Sequence, residues 1–138
     1  MGRLLGGIAA GIVVAWLTLT ATQFLVVSRV PPPEWLNLGA PGALQAYLVT
    51  MPVAAMAAII GGCLLAALLG GLAAGWIARA RWIVAAAVIG LLLALGLVAM
   101  RSMLPLPGWM LGAGIVACIP AALAGAWLAG RLARRPAA

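Results

Sequence analysis

Hydrophobic positions along this chain fall into four long stretches, Leu4–Val27, Pro52–Ala78, Trp82–Met100 and Trp109–Ala129, with nearly every charge lying between or beyond them. At about 1.5 Å per residue, each stretch would reach across a hydrocarbon layer about 30 Å thick. The runs do not alternate apolar with polar as barrel strands would, and they are rich in Ala, Leu and Gly, so each is predicted to be a helix. The expected fold is all-α: a polytopic membrane protein whose single domain is a compact bundle of four transmembrane helices. Leu4–Val27 follows Arg3 in the manner of a signal peptide. It runs on past Thr20-Ala21-Thr22 to Val27, however, so it is expected to remain as an anchor.

Composition strengthens this picture. A hydrophobic fraction of 67% and a charged fraction of 7% leave too few polar side chains to clothe a water-soluble domain of 138 residues. Lipid is the solvent that accepts such a surface, provided helices satisfy their own backbone groups. The net charge of +7 comes from arginines at the span boundaries. There is no basic domain for nucleic acid, so anionic lipid headgroups are the expected partners.

With four spans, Arg3, Arg79, Arg81, Arg131, Arg134 and Arg135 fall on one side, and Arg29 and Arg101 on the other. Arg-rich short segments stay in the cytoplasm, which predicts both termini and the Ile77–Trp82 turn inside. An odd number of spans would separate Arg3 from the carboxyl-terminal arginines. Trp35 and Trp109 are expected at the outer interface, and Trp76 and Trp82 beside the inner turn, while Trp16 falls mid-span.

Only the outward connection Val30–Met51 has room for structure. Pro31-Pro32-Pro33 keeps its start extended. Pro41 can then open a short helix from Gly42 to Thr50 with Leu44, Tyr47 and Leu48 on one face, resting on the membrane surface or over the bundle mouth. Pro52 is expected to start the second span, and Pro120 to kink the fourth.

Small residues recur every four positions. Gly7, Gly11 and Ala15 line the first span. The second carries two adjoining ridges, Gly62, Ala66, Gly70 and Ala74 beside Ala67, Gly71 and Gly75. Gly114, Cys118, Ala122, Ala126 and Gly130 line the fourth. Such ridges let helix backbones approach closely in lipid. The second span is therefore the candidate central helix; its ridges either pack the bundle internally or leave one free for dimerisation or a larger complex. The halves also weakly echo one another: Leu72-Ala73-Ala74-Gly75-Trp76-Ile77-Ala78-Arg79 is echoed by Leu123-Ala124-Gly125-Ala126-Trp127-Leu128-Ala129-Gly130, a likeness that either duplication or so biased a composition produces.

Catalytic chemistry is sparse. Glu34 is the single acid and His, Asp and Lys are absent, so neither a carboxylate pair nor a His-based triad can be assembled. Cys63 and Cys118 form no paired motif and are expected to be packing residues. No cofactor or metal is implied and no enzyme activity is expected. Arg29, Glu34 and Arg101 form the best polar constellation, a candidate contact for an anion or headgroup near Asn37, Gln45 and Tyr47. Within the spans, Thr18, Thr20, Thr22, Gln23 and the thiols are the remaining polar groups, few for an ion pathway.

The Gly-rich first span, Pro31-Pro32-Pro33 with a short outward segment to Leu48, Gly70-Gly71-Leu72-Ala73-Ala74-Gly75 before Ala78-Arg79, and Leu106-Pro107-Gly108-Trp109 before a final Arg-terminated span occur in this order along almost the whole chain. In this the chain resembles a widespread set of small, uncharacterised four-span bacterial inner-membrane proteins. The second outward loop of those relatives often has a His beside proline, which this chain lacks. The resemblance implies architecture and a place in the bacterial inner membrane, and brings no catalytic residues. The expected role is structural or accessory, with a homo-oligomer or a larger membrane complex as partner. The alternative is a small solute or ion transporter acting as a homo-oligomer.

Overall fold

A computed structural model of the protein describes residues 1–31, 33, 34, 37, 39–103 and 108–133, and the side chains of all of these except 44, 48, 100, 102 and 103. The elements are α1 (Gly2–Arg29), α2 (Ala43–Thr50), α3 (Val53–Ala78), a 3-10 turn at Arg79–Arg81, α4 (Trp82–Met103) and α5 (Gly108–Ala133). Among the described residues the chain is all-helical and has no strand. The expectations placed on Trp35, Arg134 and Arg135, on the side chains of Leu44 and Leu48, and on most of the Ser102–Gly108 connection lie outside the described residues.

Three helical stretches are long and apolar enough to cross a membrane: Gly2–Arg29, Val53–Ala99 and Gly108–Ala133. The middle stretch is not one rod, which at its 47 residues would extend about 70 Å. It reverses at Arg79, where φ is +38°, a conformation that L-residues with a Cβ rarely adopt. After the reversal α4 lies back along α3, so that Ile89 meets Gly70. Pro52 caps the start of α3 at φ −65°, the value its ring imposes, and its carbonyl accepts from the Ala55 and Met56 amides at 2.9 and 3.2 Å. The fourth apolar run continues as one helix through Pro120.

The helices pack around α3. Apolar side chains lose nothing by facing lipid, so helix association there depends on close contact between surfaces of low relief. Gly7, Gly11 and Ala15 are buried on α1, and Gly62, Ala66, Gly70, Ala74 and Ala78 on α3. A Cβ built on Gly7 would stand 2.8 Å from the Ala74 carbonyl oxygen, and one on Gly11 2.8 Å from that of Gly70. Because low numbers on α1 meet high numbers on α3, the two helices are antiparallel. Ile89 of α4, 1% exposed, enters the space that these missing methyl groups leave open: a Cβ on Gly11 would lie 3.0 Å from its Cδ1 and one on Gly70 3.2 Å from its Cγ2.

The other ridge of α3 meets α5. Gly71 lies against the backbone of Ala122, Gly75 against Ala126, and Gly125 against the Leu68 carbonyl. Ala67, Cys118 and Ala122 form one buried cluster at this contact. The pairs Gly71/Ala122 and Gly75/Ala126 are each 51 positions apart, the same interval that separates the echoed segments beginning at Leu72 and Leu123. Thus α3 and α5 run parallel and touch at equivalent positions. Helix α4 closes the groove, with Gly90 against Ile119 and Cys118 and with Leu97 against Gly114. Both small-residue ridges of α3 are occupied inside the chain.

Large apolar side chains face outward. Trp16 is 66% exposed, Phe24 74% and Val116 75%. Among the described residues no polar or charged side chain is buried. Trp16 is therefore on the bundle's outer surface. The hydroxyls of Thr18, Thr20 and Thr22 donate to carbonyls of their own helix at 2.8–2.9 Å, which satisfies them without a partner helix.

Candidate functional site

The two ends of the bundle differ in charge. One end gathers Arg3 in the first turn of α1, Arg79 and Arg81 in the reversal, and Arg131 in the last turn of α5. Antiparallel packing of α1 on α3 brings Met1 and Arg3 beside Ala78–Arg81, and parallel packing of α5 on α3 brings Ala129–Ala133 to the same place. The other end carries Arg29, Arg101, helix α2 and Glu34, the chain's single acid.

At the α2 end, Arg29, Glu34 and Arg101 are exposed, and no hydrogen bond or ion pair joins them among the described residues. Arg29 borders a shallow apolar cavity of about 290 Å³ with Leu25, Val26, Val30, Ala55 and Ala58. Of the polar residues expected nearby, Gln45 is exposed and Asn37 Oδ1 accepts from the Gly39 amide at 3.1 Å. Tyr47 is buried with Met51 and Ala55 against Val26, Val30, Met56 and Ile59. Its hydroxyl donates to the Val30 carbonyl oxygen at 2.5 Å. Val30 follows the last residue of α1, beyond the helical ladder, so the phenol supplies its carbonyl with a donor where the chain leaves α1. Helix α2 is tied by this bond to the end of α1, and its Tyr47 packs on the start of α3.

At the Arg-rich end, two cavities share one residue. The first, of about 190 Å³, is lined by Met1, Arg3, Leu4, Ala78, Arg79, Ala80 and Arg81. The second, of about 270 Å³, is lined by Gly75, Trp76, Arg79, Trp82, Ala129, Gly130 and Ala133. Arg79 stands in the wall of both. Arg131 is engaged beside them, its guanidinium stacked 3.9 Å from the Trp127 ring centroid. Sequence reasoning treated these arginines as a count of charges; the arrangement comes from the reversal at Arg79 and from the register of α1 and α5 on α3. The two ridges of α3 together with the 51-residue echo were the signal in the sequence that could have located α5, because alternate helices of a chain that folds back at each turn run in the same direction.

The residues named for helix packing are placed as follows. Gly7, Gly11, Gly62 and Gly70 lie in the α1–α3 seam, where Gly62 faces Thr22; Gly71, Gly75 and Ala122 lie in the α3–α5 seam; Gly114 faces Leu97 of α4. Cys63 and Cys118 are both free and buried, and among the described residues no three His, Cys, Asp or Glu side chains come together. No family model, curated protein or solved structure matches this chain.

Proposed function

We propose that the chain is a four-span integral protein of the bacterial inner membrane, with both termini cytoplasmic, that serves a structural or accessory role and associates laterally with itself or with a larger membrane complex. The fold-back supports the span count: α3 has 26 residues and α4 has 22, lengths of about 39 and 33 Å, each sufficient for one crossing. The charge distribution supports the orientation, with Arg3, Arg79, Arg81 and Arg131 at one end and Arg29 and Arg101 at the other. The α2 end would then face outward, with α2 tied to the end of α1 by Tyr47.

The observation that carries the structural role is the interior. It is closed by Gly and Ala seams in which one backbone rests on another, with Ile89 and Cys118 as its largest fully buried side chains. A conducting or solute-binding bundle spends its interior on hydrogen-bonding groups at depth; this interior is spent on helix contact. The chain's large side chains are outward, where lipid or a neighbouring helix meets them.

Native mass measurement after affinity isolation from bacterial membranes in gentle detergent tests this reading. The expected result is a defined homo-oligomer or a stoichiometric membrane-protein companion. A lone monomer that supports solute flux in sealed vesicles would overturn it. Orientation is tested by single-cysteine labelling, with positions 3 and 131 shielded in intact cells and position 45 accessible.

A further inference from the structure

We propose that the cavity between the first turn of α1 and the Arg79 reversal is a binding site for the phosphodiester of an anionic phospholipid. Three guanidinium-bearing residues, Arg3, Arg79 and Arg81, line a space of about 190 Å³. No side chain caps α1, and its first turn contains no acid, so unsatisfied amides and the positive end of the helix dipole are directed to the same region. The one acidic side chain, Glu34, precedes α2 at the opposite end of the bundle, so among the described residues this cluster has no acidic neighbour. Its guanidinium groups are exposed and open to an external anion, and the planar, multi-donor guanidinium group is suited to phosphate oxygens.

The second cavity identifies that anion as a lipid rather than a free ion. It shares Arg79 with the first and continues onto Trp76, Trp82, Gly75 and Ala129. Indole rings beside small Gly and Ala residues offer the mixed apolar and polar surroundings of the glycerol and ester region at a membrane interface. Arg79 therefore stands between a cationic compartment and an amphipathic one, the sequence of environments along a phospholipid from phosphate to acyl chain.

The inference rests on the membrane reading and is independent of the accessory role. The test incorporates the full chain into bilayer discs containing equal phosphatidylglycerol and phosphatidylethanolamine, then releases it for native mass measurement of retained lipid. The expected result is preferential retention of phosphatidylglycerol, falling about fivefold in Arg3→Gln and becoming undetectable in the combined Arg3→Gln, Arg79→Gln, Arg81→Gln variant. Arg3 lies on an exposed first turn, so the single variant serves even where the triple variant does not fold. Equal retention of the two lipids, or a preference unchanged in Arg3→Gln, would overturn the site. Displacement of the lipid by millimolar inorganic phosphate would assign recognition to the phosphate alone and overturn the lipid assignment. A chain that fails to enter the discs would instead refute the membrane reading, an outcome distinct from entry without preference.

Discussion

The α1–α3 and α3–α5 seams are made from the same small residues at the same spacing, yet they close to different depths. In the antiparallel α1–α3 seam, the gap opened by Gly11 and Gly70 is shared with the Ile89 side chain of α4. In the parallel α3–α5 seam, the nearest neighbours of Gly71 and Gly125 are all backbone atoms of the facing helix. A ridge of small residues thus permits approach without setting its distance. What sets it is whether a third element inserts a side chain into the space.

The largest effect is expected where the neighbour cannot move. Gly71→Ala puts a methyl group into the Ala122 carbonyl and should cost about 3 kcal/mol, with Gly125→Ala similar against Leu68. Gly11→Ala meets the Gly70 carbonyl at 2.8 Å and the Ala74 Cβ at 2.9 Å, milder overlaps than at Gly71, and beside them the end of the Ile89 side chain at 3.0 Å, which can turn aside. A loss of about 1–2 kcal/mol is expected there. Reversible unfolding in mixed micelles measures both, and equal losses would erase the distinction between the seams. Tyr47→Phe keeps the buried ring and removes only the bond to Val30, for a cost of about 1 kcal/mol; faster hydrogen exchange confined to α2 is the sign that the loss is local. The smallest effect belongs to Gly61→Ala, since a Cβ there meets nothing within 4 Å. Replacing a helical glycine in open space should stabilise by about 0.5 kcal/mol, and a clear loss would mean that this face is covered by a partner.

Much of the fold was legible in the chain because lipid imposes a simple rule: long apolar runs become helices. The helices nevertheless extend beyond the runs. Val27 ends the first apolar run while α1 continues to Arg29, and Met100 ends the third while α4 continues to Met103. Hydropathy marks where lipid begins, whereas the backbone ladder continues until a proline or a turn breaks it. Likewise, the spacing of small residues singled out two ridges on α3 without saying which helix would lie on each. Those assignments depend on register, which became visible only with Gly7 set against Ala74 and Gly71 against Ala122.

The candidate sites were less legible. Arg29, Glu34 and Arg101 share an end of the bundle because the α1–α2 and α4–α5 connections lie at that end, but nearness in sequence to a boundary does not orient side chains toward one another. Arg79 gave no local warning of its positive φ, since a turn between two helices would more commonly place Gly there. Its position in the walls of two cavities arises from α1 and α5, elements far from it in sequence. Tyr47 was expected on an apolar face of the short helix, and nothing local in the sequence pointed to its acceptor, Val30, 17 residues away.

The matched register of α3 and α5 has a consequence for how substitutions combine. Pairs such as Gly75/Ala126 set equivalent positions of the two echoed segments against one another. Transferring one methyl group across that contact, by Gly75→Ala together with Ala126→Gly, removes the Ala126 Cβ that stands 2.8 Å from the new methyl, so the second change should recover part of what the first destroys. In a double-mutant cycle the coupling would carry a rescuing sign, as though the chain had folded with its own twin.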